Sequence, residues 1–138
     1  DSERDMRVLV YSDDASTREE IRLAIGRRPA PDLPPVEIVE SATPPAVFKH
    51  LESGEIDVAV LDGEAVPAGG MGIARQAKDE IYNCPPICLI VARRDDRWLA
   101  TWSRAEAVVV RPIDPVVLAE TVADLMRKRA AAKLPATR

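Results

Sequence analysis

The stretch Val58-Ala59-Val60-Leu61-Asp62 decides the fold of this 138-residue chain. Four apolar residues in succession, with no polar alternation, read as a strand buried on both faces, as in the middle of a parallel sheet. The carboxylate that ends the run is costly to bury. It is therefore expected at the carboxyl edge of the sheet, where open α/β sheets bind their ligands. Upstream, a second run, Val8-Leu9-Val10-Tyr11-Ser12, stops on Asp13-Asp14 in the same way. With the two strands as neighbours, three carboxylates converge on one edge. Like charges held that close call for a cation or a raised pKa.

Composition sets the bounds around this centre. Hydrophobic residues make up 46% of the chain and charged residues 30%, which predicts a soluble globular domain with one real core. The net charge of −4 argues against nucleic acid as the main partner, which calls for a basic patch. No apolar stretch approaches the roughly 20 residues of a membrane span. The polar start, Asp1 to Asp5, is not a signal peptide, so a cytoplasmic location is expected. Cys84 and Cys88 have the wrong spacing for a C-x-x-C redox pair and are expected as reduced thiols, Cys88 buried in mid-strand.

Outward from the two strands, the chain alternates. Strand one covers 7–12, and Ser16 or Thr17 is placed to cap a helix running to about Arg28. Pro29, Pro31, Pro34 and Pro35 read as a stiff spacer, long for a helix-to-strand connection. Residues 37–41 alternate polar and apolar, as an edge strand does. Thr43 and Pro44-Pro45 open a second helix that Gly54 ends. After the central strand, a loop with Gly63, Pro67, Gly69, Gly70 and Gly72 reads as mobile and leads into a helix over about 71–82. Strand four covers 87–92. A fourth helix over about 97–104 stacks Trp98 and Trp102 at i, i+4. Strand five, 107–110, is closed by Arg111-Pro112, and Asp114 caps a fifth helix with Pro115 at its first position. Five strand–helix repeats predict an α/β fold, a doubly wound parallel sheet of five strands covered on both faces. One domain is expected over 6–126, with 1–5 and 127–138 as flexible termini.

An acidic pair after strand one, an aspartate ending strand three, and a basic residue with proline after strand five together resemble the receiver domain of bacterial response regulators. The resemblance covers about 6–126. It implies a CheY-like, flavodoxin-like (βα)5 sheet in the order 2-1-3-4-5, which puts strands one and three side by side at the switch point. It implies Asp62 as phosphoryl acceptor, with Mg²⁺ held by Asp13, Asp14, Asp62 and the backbone carbonyl of Glu64. The residue types suit that chemistry. A carboxylate is a competent nucleophile for a phosphoryl group, and Mg²⁺ takes oxygen ligands and offsets the charge of the phosphate. Implied partners are proteins: a histidine kinase, and a partner or second copy on the face of helix four, strand five and helix five. Trp98 and Trp102 are the interface candidates there, one expected buried and one partly exposed.

The departures from the family pattern matter as much. Val91 stands where the family carries Thr or Ser, and Val108 where it carries the switch aromatic. Arg111 replaces the lysine, and a planar guanidinium fork is no substitute for a compact ammonium at a tight site. Arg104 occupies a position where the family prefers glycine, and the loop after Asp62 is one residue longer before Pro67. The metal half of the site is thus kept and the phosphate-sensing half is lost. The expectation is an atypical receiver, not an enzyme, that signals by protein contact with its phosphorylation switch impaired. The other reading is a conventional single-domain response regulator with Asp62 as Mg²⁺-dependent acceptor. A flavin protein is disfavoured by Asp13-Asp14 in the phosphate loop. There is no G-x-G-x-x-G or Walker loop, and the only histidine, His50, sits on helix two, away from the acidic edge.

Overall fold

The strands and helices follow one another in strict alternation. The computed structural model describes residues 5–64, 69–94 and 98–133. In chain order the elements are β1 (Met6–Tyr11), α1 (Ala15–Ile25), β2 (Val36–Ser41), α2 (Pro44–Glu52), β3 (Val58–Asp62), α3 (Gly70–Glu80), β4 (Ile87–Val91), α4 (Trp98–Ser103), β5 (Ala107–Val110) and α5 (Pro115–Lys133). All strand pairs are parallel and the order is β2-β1-β3-β4-β5, as expected. Every residue of β3 and of β4 is buried, because helices cover both faces at the centre of the sheet. No helix among the described residues is long and apolar enough to cross a membrane.

The two-residue period of the strands splits the core into two layers. On one face Val8, Val10, Val58, Val60 and Ile90 meet Ile21 and Ile25 of α1 and Leu118 and Val122 of α5. On the other, Leu9, Tyr11, Leu61, Leu89 and Val91 meet Val47 of α2 and Ile73 and Ala77 of α3. Cys88 is buried in the first layer, and burial pushes its thiol up to about 12.

Three local readings change. The cap of α1 is Asp14, not Ser16 or Thr17. Its Oδ1 accepts the Ser16 N–H at 3.0 Å and its Oδ2 the Thr17 hydroxyl at 3.1 Å. The proline-rich spacer is a packed strap. Leu33 is 5% exposed and joins the α1–α5 layer, and the Asp32 carboxylate accepts from Nε and Nη2 of Arg127 at 2.9 and 2.8 Å. That grip explains the third change. α5 does not fray at Arg127 but continues to Lys133, with Arg127 also paired to Asp124 at 2.8 Å and Arg129 buried. The expected flexibility of 1–4 and 134–138 concerns residues outside those described.

The strap makes a prediction. Leu33→Ala should cost about 2–3 kcal/mol as a large-to-small core change, well above the effect of Asp32→Asn. The Arg127 hydrogen bonds hold the Asp32 carboxyl below the usual carboxylate range. The stabilisation from that pair is therefore full above the ordinary range and is lost as pH falls through the folded value. Thermal unfolding of wild type and Asp32→Asn should differ at pH 7 and converge only as the pH falls below the ordinary carboxylate range.

Candidate functional site

The site is built where β1 and β3 end together. The register pairs Val10 with Val60 and Tyr11 with Leu61, so Ser12 and Asp62 emerge side by side. Asp62 is 3% exposed, and its charge is met by three donors. The Ser12 hydroxyl donates to Oδ2 at 2.8 Å, the Glu64 backbone N–H donates to Oδ1 at 2.9 Å, and Nη2 of Arg111 lies 3.1 Å from the same Oδ1. These contacts make a buried carboxylate tolerable. Arg111 reaches the site because β5 pairs with β4. Val110 stands opposite Val91, and the Arg111 N–H donates to the Val91 carbonyl at 2.9 Å. The Arg111–Pro112 peptide that follows is cis.

Two glycines allow this close assembly. The Gly63 N–H donates to the Ile90 carbonyl at 2.7 Å, and a Cβ on Gly63 would lie 2.6 Å from that oxygen. At Gly70, the buried first residue of α3, a Cβ would lie 2.8 Å from Cβ of Leu61 and 3.0 Å from the Asp62 carbonyl oxygen. Gly70 thus serves close approach of α3 to the end of β3, not loop mobility. Pro67, with the longer loop that holds it, lies outside the described residues.

The acidic pair behaves differently from Asp62. Asp14 turns both carboxylate oxygens toward the first turn of α1, while Asp13 is exposed. Tyr11 is fully buried behind them. Burial first, then the charges of Asp13 and Asp62, raise its pKa. Arg18 closes the β1 side, with Nη1 donating to the Ser12 carbonyl at 2.7 Å and Nε to Glu40 at 3.0 Å. The oxygen chemistry of Asp13, Asp14 and Asp62 suits Mg²⁺, but this arrangement does not. Asp14 is engaged as a helix cap and Asp62 by Ser12, Glu64 and Arg111. Glu64 directs its N–H at the Asp62 carboxylate. Among the described residues no three acidic, histidine or cysteine groups come together as a metal site. As arranged, Asp14 and Asp62 spend their oxygens on protein partners.

Val91 and Val108, the two positions read as altered switch residues, are apolar in place as well as in sequence. Val91 is fully buried, and Val108 is half-buried against the same layer. Trp98 and Trp102 are both exposed, 65% and 46%, where one was expected buried. They line a groove of about 720 Å³ with Phe48 of α2 and Met71 of α3, beside Gly63 and Glu64. They thus turn toward α2 and α3, not toward α5. Arg75 of α3 fixes this orientation. Its guanidinium stacks 5.1 Å from the Trp102 ring centroid, and Nη1 donates to the Trp102 carbonyl at 2.6 Å. His50 sits in the last turn of α2, on a different part of the molecule from Asp62.

The residues missed from sequence are Ser12, Gly70 and Arg18. Ser12 had a signal: a hydroxyl at the strand end, one residue before the acidic pair, in line with Asp62 once the two strands pair.

No family model matches the chain. An uncharacterized response regulatory protein of Mycobacterium tuberculosis is 55% identical over 127 residues, covering 92% of this chain and 96% of that protein, in each of two strains. Among solved structures, a CheY-like response regulator receiver domain protein from Methanospirillum hungatei superposes with a TM-score of 0.71 at 16% identity, covering 94% of this chain and 99% of that one. The signal receiver domain of an HD domain-containing protein from Pseudomonas fluorescens gives 0.79 at 12% identity, covering 96% and 95%. The two structural likenesses speak for the fold; the 55% relative reaches further.

Proposed function

The chain belongs to the response-regulator family as a receiver domain of two-component signalling, and we propose that it signals by protein contact with its phosphorylation switch impaired. The pairing of Asp62 with Arg111 carries this reading. A phosphoryl acceptor attacks phosphorus with a carboxylate lone pair, and hydrogen bonds and a cation on that carboxylate lower its nucleophilicity. Here Oδ2 accepts from Ser12, while Oδ1 accepts from Glu64 and faces Arg111. The guanidinium is a planar donor that holds a carboxylate more rigidly than an ammonium does. A phosphoryl group on Asp62 would find no hydroxyl at Val91 to bond, and at Val108 no aromatic ring to move. Chemistry at Asp62 then reaches β5 through Arg111 alone, without the hydroxyl and aromatic levers.

In this reading output depends on surfaces. The exposed Val116 and Val117 of α5 and half-buried Val108 and Val110 of β5 place apolar side chains on the face where a kinase, a partner or a second copy would dock. The molecule itself catalyses nothing beyond what a donor brings. The conventional alternative retains one supporting feature, a cation beside an aspartate at the carboxyl edge of the sheet.

The test adds Mg²⁺ and then beryllofluoride, a mimic of the acyl phosphate, and follows amide shifts and tryptophan emission. Changes confined to residues around Asp62, Arg111 included, with 107–110 and the emission unmoved, are expected. Shifts that spread along β5 and change Trp98 or Trp102 emission would overturn the reading in favour of a working switch.

A further inference from the structure

At the edge of the sheet opposite Asp62, a buried cation lacks a carboxylate partner. Arg129, on the last turns of α5, is 5% exposed. Its Nη1 donates to the Asn83 carbonyl at 3.2 Å, and its Nε has no hydrogen-bond partner. Among the described residues it forms no ion pair with an aspartate or glutamate, in contrast to Arg127 two residues before it. A guanidinium stays charged in a protein. Burial of an unpaired charge is unfavourable, and an anion that reaches it gains a charge-assisted hydrogen bond.

Arg129 also lines a cavity of about 400 Å³ at the start of β3. Leu51, Ile56, Ile81 and Pro85 supply apolar wall, and the fully exposed Tyr82 stands at its border. The chain turns there through Asn83, whose φ of 57° presents its carbonyl to Arg129. Glu52 and Glu80, both exposed, add negative charge to the lining. That charge disfavours a dianion and leaves room for a single negative charge seated deep.

We propose that this cavity binds a small monocarboxylate with an apolar body, its carboxylate on Arg129 and its body against Leu51, Ile56 and Ile81. A carboxylate matches the guanidinium fork in plane and spacing. Such a ligand bridges the α3–β4 turn to the end of α5, which makes the site independent of chemistry at Asp62.

Sodium benzoate serves as the probe, titrated into the full chain at ionic strength held constant with sodium chloride. Sodium phosphate is run in parallel. The readouts are the Arg129 side-chain Nε–H resonance, the amides of Ile81 and Asn83, and the melting temperature. Expected is a saturable shift at Arg129 with benzoate, a rise in melting temperature, and phosphate weaker by about tenfold or more. Arg129→Lys keeps the charge and loses the fork, and should weaken benzoate by about tenfold. No saturable shift at Arg129 in the wild type, or shifts that chloride reproduces, would overturn the site. Phosphate binding as tightly as benzoate would overturn the monocarboxylate assignment. Because the wild-type titration decides alone, a variant that fails to fold does not obscure the result.

Discussion

Arg111→Met should lower stability by about 2–4 kcal/mol, the range for removing one partner of a buried ion pair, moderated here by the partial exposure of Arg111. The change leaves Asp62, 3% exposed, with only Ser12 and the Glu64 N–H against its charge. Asp62→Asn should cost less, because the amide keeps an acceptor for Glu64 and removes the charge that Arg111 balances. The double variant should be more stable than the sum of the two single losses implies, with a coupling of about 1–3 kcal/mol. Urea unfolding of the four proteins at pH 7 measures this directly. Additive losses would mean that Arg111 is a solvated cation near Asp62 and not its partner, and the proposed block on switching would lose its foundation.

Gly70→Ala is the second large effect. Its Cβ would sit 2.8 Å from Leu61 Cβ, 3.0 Å from the Asp62 carbonyl oxygen and 3.1 Å from the Asp62 carbonyl carbon. Two of those three atoms are backbone in a central strand, so α3 must move instead. Overpacking of this kind costs about 1–3 kcal/mol. Gly72 supplies the control, because nothing lies within 4 Å of a Cβ there. Gly72→Ala sits inside the same helix and should stabilise by up to about 1 kcal/mol through helix propensity. Melting curves of the two variants should shift in opposite directions. Gly70→Ala should also disturb the resonances of Arg111, because the displaced α3 pushes on the strand that carries Asp62.

How much of this was legible without coordinates depends on the kind of signal. The unbroken apolar runs at 58–61 and 87–91 announce buried strands, and Asp62 at the end of its run announces the edge. Both readings use local periodicity, which a chain displays openly. Asp14 was harder, because a carboxylate between a strand and a helix suits either a metal or a cap. Which role it takes depends on side-chain torsions that spacing does not encode. Leu33 sits alone among prolines, with no period to mark it as core. The grip of Asp32 on Arg127 joins residues 95 apart, so no window of sequence contains both. Trp98 and Trp102 do share a helical stripe. Their orientation, however, is set by Arg75 on a neighbouring helix, and the i, i+4 spacing is silent about which neighbour wins. Val91, Val108 and Arg111 were visible from the outset. Their consequence, Arg111 set against Asp62, needed the geometry.

The two sides of the sheet differ in how firmly they are closed, and that difference sets the order in which the molecule opens. α1 and α5 bury Ile21, Ile25, Leu118 and Val122 together, and the strap adds Leu33 and its ion pair. α4 leaves both indoles in water and is tied to α3 by Arg75. Amide hydrogens of α4 should therefore exchange through local opening, at a free energy far below that of global unfolding, while those of α1 and central α5 exchange only when the whole domain unfolds. Protection at α4 becomes a reporter: whatever covers Trp98 and Trp102 must slow exchange there first, before any change reaches the opposite layer.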